Sequence, residues 1–405
     1  MTALALEGGS PLRTQPLAPW PHFDQDVIDA AVAVLQSGRV NYWTGHEGRL
    51  FEQEFASLSG CQHAVAVANG TLALEYAVRA LGIGPGDEVI VPCRTFIASA
   101  SAAVMAGATP VVVDVDPGSQ NLTAQTVLPA LSPRTRAIVA VHFAGWPCDM
   151  EPIMELAREG GLKVIEDCAQ AHGARYRGRP VGSLGDIAAF SFCQDKIITT
   201  GGEGGMVTTN NPEWWERVWS LKDHGKSYDA VYRREHSPGY RWLHESFGTN
   251  GRLTEMQAAM GRVLLTKLPA WVEIRRQHAA QLDRCLAQLP ALRVRVPPEE
   301  VYHAYYKYHA FVRPEGLKRG WDRGRVIAAI KAEGVPCREI GGGSPDISRE
   351  KAFGVDLKPS APLPNAKALG ETSLCLLVHP TLSAEDIDDM GRAVEKVMRA
   401  AMLDS

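Results

Sequence analysis

Four short segments of the chain combine residues capable of acid–base or nucleophilic chemistry with glycines or strand ends. They are 69–71, 164–170, 189–205 and 248–255. The third segment contains Lys196, which follows an apolar run ending near Ser191 and precedes a glycine cluster. Most lysines are solvated. One that lies in a pocket is a candidate nucleophile toward carbonyl groups, because burial favours its neutral amine.

Two of the other segments could surround such a lysine. Asn69-Gly70-Thr71 lies between an apolar run and a helical pattern, and a turn of this kind exposes backbone N–H groups that attract an anion. A simple helix cap would look the same. Glu166-Asp167 ends an apolar strand, at the edge where α/β sheets bind ligands, although a structural carboxylate is an equally good interpretation. The segment 248–255 alone indicates only a loop leading into a helix.

One cofactor would use all of these groups. Pyridoxal 5′-phosphate needs a lysine for its aldehyde, an acidic partner for its pyridine nitrogen and an anion site for its phosphate. A flat group over the ring completes the pocket. The acid matters because a carboxylate raises the proton affinity of the ring nitrogen, and the protonated ring withdraws electrons from the substrate. The four segments together predict a site for this cofactor, and we expect no metal.

Motifs for other chemistries are incomplete. The stretch 224–227 (HGKS) has the end of a phosphate-binding loop, but Ser220 stands where the first glycine should be. No GxGxxG opens a helix after a strand, and HExxH is absent. The stretch 182–185 (GSLG) has the wrong spacing for a nucleophile elbow. The sequence therefore does not support a P-loop, a dinucleotide fold, a zinc protease or a serine hydrolase.

Short apolar runs alternate with helical patterns through the first half of the chain. We predict strands at 63–68, 88–91, 110–115, 137–142, 163–166, 187–192 and 206–209. We predict helices at 71–81, 97–106, 149–159 and 212–221. Near-continuous apolar strands separated by helices are typical of an α/β protein with a mostly parallel sheet covered on both faces.

The pattern changes after residue 252. Residues 253–289 have apolar positions at helical spacing with one proline, Pro269, which indicates two successive helices or one long kinked helix. Predicted strands at 308–312 and 374–378 and helices at 322–333 and 384–402 form a smaller α/β domain. We therefore divide the chain into a large domain with its N-terminal segment, 1–252, and connecting helices with a small C-terminal domain, 253–405. Gly341–Gly343 reads as a flexible loop that could cover a substrate.

The composition excludes several classes of protein. The 405 residues include 42 Lys and Arg against 46 Asp and Glu, a net charge of −4. A balance this close to neutral argues against a general binder of nucleic acid or anionic membranes. There is no apolar stretch of about 20 residues, no signal-peptide pattern and no CxxC pair. We expect a cytoplasmic protein with no nucleic-acid or membrane partner.

The candidate motifs occur together, in the same order, in one known family. In this sequence they are Asn69-Gly70-Thr71, Thr95-Phe96-Ile97-Ala98, Glu166-Asp167 with Gln170-Ala171-His172-Gly173, Ser191-Phe192 with Lys196, Gly202-Glu203-Gly204-Gly205, and Asn250 with Arg252. The chain resembles the DegT/DnrJ/EryC1/StrS aminotransferases, pyridoxal-phosphate enzymes of fold type I. The resemblance extends from about residue 20 to about residue 397.

The resemblance implies a role for each residue. Lys196 would bind the cofactor aldehyde and move the proton during amino transfer. Asp167 would pair with the pyridine nitrogen, and Gln170 would lie beside it near the hydroxyl face of the ring. Phe96 would stack on the ring, with ordinary core packing as the alternative. The phosphate would be bound by Gly70, Thr71 and Ser191 of one chain and by Asn250 of a neighbouring subunit. The last assignment implies a homodimer with shared active sites.

Asp195 departs from the common family pattern, in which the residue before the lysine is often uncharged. If Lys196 lay on extended chain, neighbouring side chains would alternate and the Asp195 carboxylate would point elsewhere. We therefore expect Asp195 not to prevent cofactor attachment. Some family members have a histidine in place of the lysine and catalyse dehydration, so the intact Lys196 favours transamination.

The resemblance also implies the reaction. We expect transfer of an amino group from an amino acid, with L-glutamate as the expected donor, to a keto-sugar that is nucleotide-linked. A cyclitol (inosose-type) aminotransferase of an aminoglycoside pathway is the first alternative, because residues 8–21 resemble the start of some antibiotic-pathway members. A 3-amino-5-hydroxybenzoate-type or dehydratase relative is another. A non-catalytic regulator that retains the fold is the alternative from a different class.

Overall fold

The computed structural model describes residues 3–359 and 361–403. In chain order its strands are β1 (His63–Val67), β2 (Glu88–Pro92), β3 (Thr109–Val113), β4 (Thr135–Val141), β5 (Lys163–Asp167), β6 (Arg175–Tyr176), β7 (Arg179–Pro180), β8 (Ile187–Ser191), β9 (Gly205–Thr209), β10 (Leu292–Val294), β11 (Val301–Tyr302), β12 (Tyr308–Val312) and β13 (Ser373–Leu376). Its α-helices are α1 (Gln25–Ser37), α2 (Glu47–Ser59), α3 (Gly70–Ala80), α4 (Ala98–Met105), α5 (Ala124–Val127), α6 (Met150–Gly160), α7 (Pro212–Lys222), α8 (Tyr228–Tyr232), α9 (Glu255–Leu286), α10 (Arg323–Ala332), α11 (Pro364–Thr372) and α12 (Ala384–Ala401). Each predicted strand and helix of the first half has a counterpart whose ends lie within two residues of the predicted ones.

The central sheet has seven strands in the order β1-β9-β8-β5-β4-β2-β3. Strands β8, β5, β4, β2 and β3 run parallel, whereas β9 is antiparallel to both of its neighbours. Ile138 and Val164 belong to the apolar core on one face, and Val139 and Ile165 to the core on the other. Because successive side chains alternate between two covered faces, the strands read as continuous apolar runs. The predicted α/β class with a mostly parallel sheet is confirmed.

A second, antiparallel sheet of three strands, β10-β12-β13, packs with α10 and α12 around a third apolar core. The long helix α9 contributes to two cores: Leu264 and Leu268 pack in the core that also contains Val164, and Ala279 and Leu282 pack in the third core. It is a single helix of 32 residues that contains Pro269, so the long-helix alternative is the one observed. The division of the chain at residue 252 stays a prediction.

The N-terminal segment is attached to the region of the second sheet. The buried carboxylate of Glu333 accepts hydrogen bonds from the backbone N–H groups of Ala5 and Leu12 at 2.9 and 3.0 Å and from Lys396 Nζ at 2.8 Å. Within the described ranges, no helix is both long and apolar enough to cross a membrane.

Candidate active site

A cavity of about 750 Å³ opens where the carboxyl ends of β5 and β8 meet the start of α3. Seven of the predicted site residues line it: Gly70, Thr71, Phe96, Asp167, Gln170, Ser191 and Lys196. Asn250 is not among the described residues that line this cavity, and it lies exposed on the surface of the chain. The structure therefore brings together every predicted site residue except the one expected to act from a neighbouring subunit.

Lys196 lies on the loop after β8, and its side chain is only 12% exposed. Its backbone carbonyl accepts a hydrogen bond of 2.9 Å from the Trp20 indole N–H. Its amine Nζ lies 4.9 Å from the centre of the Tyr306 ring, which forms a flat wall beside it. The amine is thus sheltered from bulk water while it faces the cavity.

Asp167 is the last residue of β5, and it is 5% exposed. Its carboxylate accepts hydrogen bonds from the Ser99 hydroxyl at 2.8 Å and from the backbone N–H of Ala169 at 3.1 Å. Burial raises the pKa of Asp167, and the bond from Ser99 and the charge of Lys196 oppose this rise. A buried acid whose charged form receives two hydrogen bonds can still present a negative charge to a bound group.

Glu166, the neighbour of Asp167, belongs to the opposite face of the sheet and does not reach the cavity. Its carboxylate accepts hydrogen bonds from His142 Nε2 at 2.9 Å and from the backbone N–H groups of Gly182, Leu184 and Gly185 at 2.7–2.9 Å. Burial alone would raise the pKa of Glu166, but the bonds from His142 and the backbone hold it below its usual value. Of the two adjacent carboxylates, Glu166 is structural.

The start of α3 forms an anion site with the end of β8. A Cβ atom at Gly70 would lie 2.5 Å from the Ser191 Cβ, so only glycine allows this approach. The Asn69 side chain caps the helix by accepting a 2.9 Å hydrogen bond from Leu72 N. Gly70 and Thr71, the first two residues of α3, line the cavity, and the helix dipole favours negative charge at this end of the helix.

Gln170 joins the cavity floor to the loop that contains Gly341–Gly343. Its side-chain oxygen accepts a hydrogen bond of 2.7 Å from Ala144 N, and its amide donates to the Gly342 carbonyl at 2.6 Å. A Cβ at Gly342 would lie 2.7 Å from the Tyr306 ring, and one at Gly343 would lie 2.9 Å from the Thr95 backbone. Gly342 and Gly343 thus permit close packing in the cavity wall, and a mobile cover over the substrate stays a prediction.

Phe96 is 56% exposed, which excludes the core-packing alternative for this residue. It begins the turn that leads into α4 and lines the open side of the cavity. An aromatic ring in this position can lie over a flat ligand.

The position of Asp195 differs from the expectation that its carboxylate would point away from Lys196. Because Lys196 lies on a turn and not on extended chain, the two side chains point the same way, and Asp195 Oδ1 lies 3.9 Å from Lys196 Nζ. Its other oxygen accepts a hydrogen bond from the Tyr306 hydroxyl. Burial alone would raise the pKa of Asp195, but the charge of Lys196 and the Tyr306 hydroxyl bring it below its usual value.

Sequence analysis did not identify the contacts made by Trp20, Ser99 and Tyr306. Each lies more than 60 positions from its partner in the site, so no local spacing connects them. Ser99 alone had a local signal, because Thr95 and Ser99 are four residues apart and meet across one helical turn.

A lysine amine, a buried acid and a helix N-terminus at one edge of an α/β sheet are suited to carbonyl chemistry with a bound cofactor. Residues 21–395 match the family model described as the DegT/DnrJ/EryC1/StrS aminotransferase family. The chain belongs to this family, and the predicted aminotransferase class and fold type I architecture are confirmed.

Named relatives agree with this assignment. The chain is 39% identical over 355 residues, 87% of each sequence, to the dTDP-3-amino-3,4,6-trideoxy-alpha-D-glucose transaminase of Streptomyces venezuelae. It is 38% identical over 338 residues, 82% of this chain and 78% of the relative, to the L-glutamine:2-deoxy-scyllo-inosose aminotransferase of Streptoalloteichus tenebrarius. The X-ray structure of an aminotransferase from Psychrobacter cryohalolentis superposes with a TM-score of 0.93 at 52% identity, covering 95% of this chain and 99% of that one.

Proposed function

We propose that the chain is a pyridoxal 5′-phosphate-dependent aminotransferase that moves an amino group from L-glutamate to a nucleotide-linked keto-sugar. The observation that carries the proposal is the single cavity shared by Lys196 Nζ, the Asp167 carboxylate and the anion site at the start of α3. These are the three groups that the cofactor needs from a protein.

The residues present fit this cofactor group by group. Lys196 would bind the aldehyde carbon, and Asp167 would pair with the pyridine nitrogen. The phosphate would lie against Gly70, Thr71 and Ser191, where a side chain at position 70 would remove the space. When bound, the cofactor supplies an electron-withdrawing ring that stabilises negative charge beside the nitrogen being transferred.

Two further residues would orient the ring. Gln170 lies three residues after Asp167 in the chain. Its side-chain oxygen and its side-chain nitrogen are both held by hydrogen bonds to backbone groups. Phe96 would cover the open face. Both belong to segments that the sheet holds in place, so the ring would be held at a fixed angle to the lysine.

Lys196 would then do the proton chemistry. In transamination a proton leaves the carbon that bears the amino group and is returned to the carbon on the other side of the nitrogen, and one amine at Nζ can serve as base and then as acid. The Tyr306 ring limits the directions in which the amine can swing, and the low exposure of Lys196 keeps water from the reacting carbon.

The named relatives indicate two classes of substrate. Relatives of almost equal identity are named for a dTDP-linked sugar and for a cyclitol. We favour the nucleotide-linked keto-sugar and retain the inosose-type cyclitol as the second candidate. The deciding experiment is a panel of dTDP-, GDP- and UDP-linked keto-sugars and inososes, assayed with glutamate and with glutamine as donors. Turnover of inososes alone would replace the first candidate by the second.

The lysine assignment has its own test. Lys196→Ala should abolish the visible absorbance of the lysine-bound cofactor in the purified protein. Lys307→Ala is the matched control, because Lys307 Nζ contacts the same Tyr306 ring at 4.7 Å without lining the cavity. It should retain the absorbance. An unchanged spectrum in Lys196→Ala would contradict the proposal.

We also propose that a second copy of the chain completes the site. Among the described residues that line the cavity, three are acidic, Asp167, Asp195 and Glu203, and Lys196 is the sole cation. A phosphorylated cofactor, a nucleotide diphosphate and glutamate are all anions. Binding them would therefore need more positive charge or hydrogen-bond donors than this cavity wall provides. The segment before Asn250 exposes Trp242 (81%) and Phe247 (100%), and exposed aromatic residues of this size are typical of interaction sites.

The shared-site proposal predicts complementation. Asn250→Ala and Lys196→Ala subunits, each inactive or weakened alone, should regain activity when mixed and allowed to exchange, because one hybrid site keeps both residues. The control is a mixture of two Lys196→Ala preparations with different affinity tags. Isolated heterodimers without any gain in activity would contradict sharing.

A further inference from the structure

Three buried polar side chains form a chain of hydrogen bonds that ends at Asp167. The Thr95 and Ser99 hydroxyl oxygens are 2.8 Å apart, and the Ser99 hydroxyl lies 2.8 Å from Asp167 Oδ2. Thr95 and Ser99 are each 1% exposed. Thr95 follows β2, Ser99 is in α4 and Asp167 ends β5, so these hydrogen bonds join three elements at the cavity wall, which Thr95 and Asp167 line.

The direction of these hydrogen bonds follows from the chemistry of the groups. A hydroxyl has one proton to donate, and an ionised carboxylate can only accept. Ser99 must therefore donate to Asp167 when Asp167 is ionised, and Thr95 must donate to Ser99. If Asp167 were protonated and donated to Ser99, three protons would share two hydrogen bonds, and the hydroxyl proton of either Ser99 or Thr95 would lose its buried acceptor. A buried donor without a partner is costly, so the arrangement favours the ionised acid.

This arrangement opposes the effect of burial. Burial raises the pKa of Asp167, and the Ser99 bond is the largest influence that lowers it. The other titratable groups that act on Asp167 are Lys196, which lines the same cavity, and His142, which is hydrogen-bonded to Glu166. The neighbouring thiols of Cys148 and Cys168 stay neutral because burial raises their pKa values well above the usual range.

We propose that Ser99 is a positioning residue that keeps Asp167 ionised and aimed into the cavity, and that Thr95 orients the Ser99 hydroxyl. The same turn contains Phe96, so the segment that would cover the cofactor ring also fixes the acid beneath its nitrogen. The backbone of Thr95 is held in turn by Ser344 N, which donates to its carbonyl at 2.9 Å. The importance of the Thr95–Ser99–Asp167 hydrogen bonds (the relay) for catalysis rests on the proposed function. The ionisation of Asp167, however, is a property of the protein alone.

The test measures the Asp167 carboxyl in cofactor-free protein. NMR titration of ¹³C-labelled aspartate, with the signal assigned by its loss in Asp167→Asn, gives the pKa directly. Ser99→Ala should raise the pKa of Asp167 by about one to two units, because a hydrogen bond to the charged form is lost. Ser101→Ala is the matched control: Ser101 is in the same helix, and its hydroxyl bonds to the Ile97 carbonyl. It should leave the pKa unchanged.

A second variant covers the case in which Ser99→Ala does not fold. Thr95→Val keeps the side-chain shape and removes only the far donor, so it should raise the pKa of Asp167 by a smaller amount. An unchanged pKa in either folded variant, or an equal shift in Ser101→Ala, would overturn the proposal. Cofactor binding, followed separately, distinguishes the two proposals: a shifted pKa in a protein that does not bind pyridoxal phosphate would support the relay and contradict the function.

Discussion

The indole N–H of Trp20 donates a hydrogen bond of 2.9 Å to the backbone carbonyl of Lys196. The same indole ring packs edgewise on Trp271 with centroids 5.1 Å apart, and the Arg275 guanidinium lies 5.0 Å from its centre. The ring also stacks on His379 at 5.8 Å. One residue of the N-terminal segment thus connects the lysine loop to helix α9 and to the region of the second sheet.

Trp20→Phe should loosen the lysine loop without removing the ring. Loss of one hydrogen bond is worth about 1 kcal/mol, so we expect the affinity for pyridoxal phosphate to fall about 2- to 10-fold with little change in thermal stability. The measurement is cofactor binding by absorbance titration. Trp271→Phe is the control, since Trp271 contacts Trp20 and has no hydrogen bond to the lysine loop within the described ranges. Equal losses in both variants would assign the effect to ring packing.

Glu166→Gln should destabilise the fold at neutral pH by about 3 kcal/mol, because the amide places donors against buried donors. The native pKa of Glu166 is lowered, so its charge stabilises the protein above the unfolded value of about 4.3 and this contribution is lost as the pH falls through the native pKa. Denaturant unfolding at several pH values measures this effect. The difference in the free energy of unfolding between Glu166→Gln and the parent protein should become smaller below about pH 4.3.

The control for this prediction is Glu151→Gln. Glu151 forms an exposed ion pair with Arg177, and pairs of this kind contribute little. We expect its stability to match that of the parent protein at each pH. If the difference in the free energy of unfolding between Glu166→Gln and the parent protein stayed constant across the acid range, the predicted dependence on the protonation of Glu166 would be contradicted.

Gly342→Ala should disturb the cavity wall. Gly342 has φ +76°, and a Cβ there would lie 2.7 Å from the Tyr306 ring. Gly82 has the same φ of +76° with no atom within 4 Å of its Cβ position, so Gly82→Ala measures the backbone cost alone, about 1 kcal/mol. We expect Gly342→Ala to lose more stability than Gly82→Ala and also to weaken cofactor binding. Thermal unfolding and absorbance titration measure the two effects, and equal behaviour of the two variants would show that the wall is mobile.

The elements of the fold were predictable because the sheet is covered on both faces. Strand β4 and strand β5 read as apolar runs for that reason, and Asp167 follows directly from the end of such a run. The antiparallel direction of β9 was not predictable, since an apolar run has no sign that marks its direction. The sequence around Pro269 does not distinguish one long helix from two successive helices, because a proline can bend a helix as well as end it.

The site was predictable only where its residues share a local motif. Gly70 and Lys196 lie in segments whose composition is unusual by itself. The structural role of Glu166 was hidden, since adjacent carboxylates at a strand end face opposite sides and only the tertiary structure shows which side is the cavity. The close packing at Gly342 and Gly343 was not predictable, because glycine serves flexible loops and close approaches alike, and composition does not separate the two.

Helix α9 fills one side of two separate apolar cores, with Leu264 and Leu268 in one and Ala279 and Leu282 in the other. We therefore expect that neither fragment of a chain cut at residue 252 would form its complete core. A fragment ending at 252 would expose the surface that Leu268 covers, and the remaining fragment would carry a helix whose first half has nothing to pack against. The core that contains Leu264 also includes Val301, Ala304 and Tyr306, so synthesis must pass the end of α9 before this core can close.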